Sequence, residues 1–154
     1  MQKLEINGYK LDMNNLFRLA NLVVLPFWFM MIIFPNLGLT KWLMRSNLVF
    51  MLMGGIYSTL LIGGMRKSPG NFKDVMNPNL DGITKLLSSR QGAFAGWMHF
   101  LTFDLFVGRW IYFDSLKNGK PARLSILLTL MAGPLGLLFY LTFVRTKNNT
   151  ETGV

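Results

Sequence analysis

Gly92–Asp114, GAFAGWMHFLTFDLFVGRWIYFD, decides how this chain is read. A membrane-crossing helix needs about 20 mostly apolar residues, and the stretch supplies them. Yet it also carries His99, Asp104, Arg109 and Asp114. An ionisable group near the centre of such a helix costs at least ~2.5–3.5 kcal/mol. Side chains retained against that cost need a reason, so they are the first candidates for function.

Composition widens the same argument. Charged residues are 15% of the 154-residue chain and hydrophobic residues 51%, where a globular domain carries about 25% charged. This is membrane composition, in a length suited to one domain. The net charge of +9 does not point to nucleic acid, because Lys and Arg line no amphipathic face or Gly-rich groove. They sit in the gaps between apolar runs, as positive-inside topology requires. Lys3, Lys10, Arg66, Lys67, Lys73, Lys85, Arg90, Arg145 and Lys147 outnumber Lys41, Arg45, Lys117, Lys120 and Arg123. The imbalance predicts both termini in the cytoplasm. No cysteine is present and only one histidine. That excludes disulfides, thiolate sites and multi-histidine iron centres, so the expectation is no metal and no cofactor.

Outward from the central stretch, four apolar runs predict an all-α polytopic membrane protein. The spans are expected at about 16–34, 47–65, 92–113 and 124–144, flanked by a polar segment 1–15 and a polar tail 145–154. The first run is too long for a signal-peptide core and no small-residue cleavage pattern follows it, so it reads as a retained span. Pro26 lies in its middle and leaves a backbone carbonyl in need of a partner. Arg18 suits a side chain reaching for the headgroups. In the second run Gly54-Gly55 and Gly63-Gly64 flank Tyr57, Ser58 and Thr59; small residues of this kind let helices approach closely. Ser68-Pro69-Gly70-Asn71 and Asn77-Pro78-Asn79 are turn chemistry. Leu80, Ile83, Leu86 and Leu87 then have helical spacing opposite Asp81, Lys85 and Ser88. This predicts a short amphipathic helix between spans 2 and 3, lying at the interface or acting as a lid. The last run is interrupted by Gly133-Pro134 and Gly136.

On an ideal helix His99, Phe103, Phe106 and Trp110 share one face, while Asp104 and Arg109 lie roughly 140° apart. Asp104 and Arg109 therefore meet only through a π-bulge, or each finds partners on other helices. Asp104 is roughly 18 Å from Gly92 and 15 Å from Asp114 along the axis, close to mid-bilayer. Pro26, Tyr57 and Gly133-Pro134 have the corresponding depth. The expected cluster has Tyr57 donating to Asp104, with Asn21 or carbonyls freed at the prolines nearby. A carboxyl so placed suits general acid catalysis; the opposing reading is that Asp104, Arg109 and His99 hold helices together. Asp114 reads as a solvated or capping residue at the membrane edge. Trp97, Trp110 and the phenylalanines suit either packing or a pigment box.

Trp97-Met98-His99, Asp104-Leu105-Phe106, Arg109, Tyr112 and Asp114 resemble the signature helix of the abscisic-acid-deficient-4-like membrane proteins. The resemblance extends to Leu25-Pro26-Phe27 with Pro35 and Leu39-Thr40-Lys41, to Gly82-Ile83-Thr84-Lys85, and to Gly133-Pro134-Leu135-Gly136. The plant member is associated with forming neoxanthin from violaxanthin in plastids, and plant relatives carry a transit peptide that is not seen here, so the resemblance implies a bacterial-type protein, expected in an inner membrane. The resemblance implies a role in carotenoid or other isoprenoid-lipid chemistry. Epoxide-to-allene isomerisation is redox-neutral, so one acid, one base and one cation suffice. That assigns Asp104 and His99 as acid–base partners and Arg109 as the stabiliser of an alkoxide. Trp97, Tyr57, Phe103, Trp110 and Asn21 are the substrate-binding candidates, and the partner is a membrane lipid or carotenoid-like molecule. The alternative is a non-catalytic module that binds pigment or lipid, or supports a biosynthetic complex. A transporter is disfavoured by one central carboxylate and no internal repeat, unless copies assemble into a homo-oligomer.

Overall fold

The computed structural model describes residues 3–6, 9–67 and 79–145. The turns expected at 68–71 and 77–78 and the tail beyond Arg145 lie outside the described residues. Two short antiparallel strands come first, β1 (Lys3–Ile6) and β2 (Tyr9–Asp12), with Lys3 opposite Asp12 and Ile6 opposite Tyr9. The segment 1–15, expected to be a simple polar extension, thus holds a pair of antiparallel strands. Its sequence alternates apolar and polar residues around Asn7-Gly8, the strongest short hairpin signal.

Helices form the rest: α1 (Met13–Ile33), α2 (Gly38–Arg45), α3 (Leu48–Lys67), α4 (Leu80–Ser88), α5 (Arg90–Lys117) and α6 (Arg123–Phe139). A π-helical turn, Tyr140–Arg145, continues α6. Asp12 starts α1 by accepting the Asn14 amide at 3.1 Å, and Asn79 caps α4 by accepting from Gly82 at 2.8 Å. The amphipathic spacing at Leu80–Leu87 therefore does form a helix. By length and apolarity Met13–Ile33, Gly38–Gly64 and Arg123–Arg145 are able to cross a membrane. At 28 residues α5 has the length, but its ionisable groups dilute its apolarity. The short helix α2 was not anticipated, since Lys41 and Arg45 interrupt the apolar run.

The chain divides into two compact units. The first holds residues up to Ala20 and Leu48–Leu101. Its buried apolar side chains include Met53, Leu60, Phe94 and Met98. Gln91 donates to the Leu60 carbonyl at 2.8 Å, and a Cβ on Gly63 would come within 2.9 Å of that amide, so the small residue lets α3 and α5 close up.

The second unit holds Asn21–Asn47 and Thr102–Val154. Trp28 is 2% exposed and lies on Gly108, where an added Cβ would come within 2.6 Å of its ring. Thr40 and Tyr112 both tie down the end of α1, donating to the Phe34 and Pro35 carbonyls at 2.6 Å. Those are carbonyls that helix geometry alone leaves without partners.

The last expected span is not a straight crossing. Ala132 leaves the helix with φ −157° and ψ 58°, and Pro134 follows. Beyond the break the chain folds back: Gly136 lies against Thr129, with a Cβ there only 2.6 Å from the Ser125 carbonyl. Lys120 before α6 donates to the Val144 carbonyl after it at 3.0 Å. Residues 123–145 therefore form a helical hairpin whose two ends meet. One arm of about 9 residues rises roughly 14 Å, about half of a ~30 Å hydrocarbon core.

Candidate functional site

Of His99, Asp104, Arg109 and Asp114 on α5, the last three fall in the second unit, and each meets a different element. Asp104 lies half-buried at the tip of the α6 hairpin. Its carboxylate fills the space that a side chain on Gly133 would need. The returning arm of α6 begins there, and the amides at the start of a helical segment favour an anion. Glycine at 133 is thus required by the carboxylate, and the carboxylate sits where the backbone is broken.

Arg109 reaches the far end of α2. Its guanidinium donates to Asn47 Oδ1 at 2.9 Å and to the Met44 and Ser46 carbonyls at 3.4 Å. A cation at the carbonyl end of a helix is favourable. The same group lies 5.2 Å from the Phe106 ring centre, in a cleft of about 380 Å³ with Arg45, Trp110 and Phe113. No π-bulge interrupts α5, which is α-helical throughout, and the π turn occurs after α6 instead.

Asp114 is not a solvated residue at an edge. It accepts from Tyr140 Oη at 2.6 Å and from Asn118 Nδ2 at 3.1 Å, and pairs with Arg145 Nε at 3.3 Å. Tyr140 is fully buried and packs edge-on against Trp110, with ring centres 5.8 Å apart. The Arg145 guanidinium lies over the same indole, 5.4 Å from its ring centre. This node holds the returning arm of α6 against α5. Sequence reasoning missed it because Tyr140 and Arg145 count, in a straight span, as residues on the opposite side of the membrane.

His99 and Tyr57 belong to the first unit, with ring centres 6.0 Å apart. His99 is exposed there, and Tyr57 is half-buried on α3. Trp97 is 43% exposed and stacks at a tilt on Phe17 of α1, 6.0 Å away. With Phe94, Arg90 and Asn14 they line a second cleft of about 380 Å³, and Arg90 donates to Asn14 Oδ1 at 2.6 Å. Phe103 is exposed on α5 and Asn21 is half-buried on α1, both in the second unit.

A half-buried carboxylate at a helix break and an arginine-lined aromatic cleft are set in a helical protein with segments long and apolar enough to cross a membrane, which defines its class as membrane-type and all but wholly helical. The family description ABA DEFICIENT 4-like matches residues 15–140, and the chain belongs to that family. The protein named ABA DEFICIENT 4, chloroplastic, of Arabidopsis thaliana is 31% identical over 141 residues, covering 88% of this chain. This chain spans 63% of that relative's length. No solved structure matches. The relative's chloroplastic location gives no support to the expected bacterial inner membrane or to the cytoplasmic termini read from charge.

Proposed function

We propose that the chain is an integral membrane protein that binds an oxygenated carotenoid or related isoprenoid lipid and isomerises it by acid–base chemistry. The observation that carries this reading is that one helix, α5, presents both a carboxylate at a broken backbone and a guanidinium in an aromatic cleft. Phe106, Trp110 and Phe113 offer flat apolar walls for a polyene or its end ring. Arg109 and Arg45 offer donors to an epoxide or hydroxyl oxygen. As a C–O bond of the epoxide breaks, Arg109 stabilises the oxygen's developing charge. One proton leaves carbon and one arrives on oxygen, with no oxidant or reductant consumed. Asp104 is the group of this unit assigned to both transfers, taking the proton from carbon as a carboxylate and returning it to oxygen as an acid.

A second reading, a binding module without turnover, is favoured by the structural work these side chains already do. Arg109 caps α2, and Asp104 fills the hairpin tip. Incubating the purified protein in nanodiscs with a panel of epoxy-xanthophylls separates the readings. Turnover gives an absorption spectrum that evolves with time and a product of unchanged mass. Binding alone gives a fixed shift, and no change across the panel refutes both. Asp104→Asn should abolish turnover while keeping the shift; full activity in that variant removes Asp104 from the chemistry. The pigment profile of a strain lacking the gene supplies the substrate class independently.

A further inference from the structure

The connection from α5 to α6 reads Lys117-Asn118-Gly119-Lys120-Pro121-Ala122-Arg123. It closes one wall of a cavity of about 460 Å³ within the second unit, a volume typical of small-ligand pockets. Met31, Leu116 and Ile126 give the cavity an apolar floor, and its polar lining is Asn36, Tyr112, Ser115, Lys120 and Arg123, of which Tyr112 and Ser115 already donate to the Pro35 and Tyr112 carbonyls. The nearby acid is already engaged, since Asp114 receives Tyr140, Asn118 and Arg145. Lys120 uses one donor on the Val144 carbonyl, and an ammonium has three. Arg123 is exposed and opens α6, whose preceding residue Ala122 gives no side-chain cap to the first amides. Helix start, guanidinium and ammonium therefore present donors and positive potential at the same wall.

We propose that this cavity binds a phosphate group, that of an anionic lipid headgroup, with the adjoining carbons of the lipid on the apolar floor. Arg123 begins a segment apolar enough to cross a membrane, which puts the wall at headgroup depth. The inference rests on the membrane reading above and not on the carotenoid one. Free phosphate shares the recognition chemistry, and the test separates the two sources.

The purified protein in neutral detergent is titrated with phosphatidylglycerol, phosphatidylcholine and inorganic phosphate, and bound adducts are counted by native mass spectrometry. Phosphatidylglycerol should bind in preference to phosphatidylcholine. Arg123→Gln should weaken it about fivefold, the effect of one basic residue at an anionic surface. Arg123→Lys should restore most of the affinity, and Lys41→Gln, a cation on α2 outside the cavity, should change nothing. Phosphate binding with the same Arg123 dependence, and no lipid binding, supports the site and assigns it a soluble ligand. Equal binding of both lipids, no binding of any probe, or indifference to Arg123→Gln overturns the proposal. Because Arg123 is exposed, the variant should elute like the parent on size exclusion, so a loss of binding is not a loss of fold.

Discussion

Replacing Gly136 by alanine separates a folded-back α6 from a straight one by the sign of the effect. In a straight helix the change removes a poor helix former and should stabilise by about 0.8–1 kcal/mol. In the hairpin the new methyl would meet the backbone amide of Thr129 and the Ser125 carbonyl, the latter at 2.6 Å. Backbone atoms cannot rotate away as a side chain can, so the arms must part. Overpacking of this kind costs about 1–3 kcal/mol, and separating the arms also strains the bonds at Tyr140 and Val144. The two geometries thus differ by about 2–4 kcal/mol in the same variant. Unfolding in detergent, by heat or by titrated dodecyl sulfate, measures it. Gly55→Ala is the internal standard, because nothing lies within 4 Å of a Cβ there; it should raise stability. If Gly136→Ala raises it too, the fold-back is refuted.

Gly133→Ala should cost about 1–3 kcal/mol by displacing the Asp104 carboxylate, and Asp104→Ala in the same chain should recover at least half of it. Additive losses in that double-mutant cycle would mean that the two residues do not touch. Spin labels on Leu124→Cys and Phe143→Cys, in a chain with no cysteine of its own, would lie roughly 28 Å apart along a straight helix; dipolar spectroscopy should find them far closer. Tyr140→Phe should lose about 1.5–3 kcal/mol, the worth of a hydrogen bond to a carboxylate, and Arg145→Gln should cost less because its head is half exposed. Equal losses for the two would remove the tyrosine from the centre of that node.

The apolar runs were legible because burial in lipid demands length and little else. The amphipathic α4 follows from the spacing of Leu80, Ile83, Leu86 and Leu87, and α3 starts within a residue of the expected 47, whereas α1 begins earlier than 16, at Met13. The N-terminal strands were legible too, in the alternation around Asn7-Gly8, but a charged segment of that length reads first as a tail. The reversal of α6 was only half legible. Gly133-Pro134 and Gly136 announce an interruption, yet a break does not say which way the chain leaves it. That depends on the backbone at Ala132 and on Asp114, Tyr140 and Lys120, which lie far apart in a straight reading. The separation of Asp104 from Arg109 around α5 followed from helical geometry; their partners did not, because Gly133 and the end of α2 are tertiary neighbours.

A hairpin that enters and leaves on the same side displaces lipid from one leaflet and leaves the other intact. Two helical arms, each about 10 Å wide, add cross-section to that monolayer alone. For a protein inserted as proposed, lipids that prefer a curved monolayer would press differently on the two faces of this unit. The grip of Asp114 and Lys120 on the returning arm would then be tuned by the lateral pressure of the surrounding membrane, without any ligand at all.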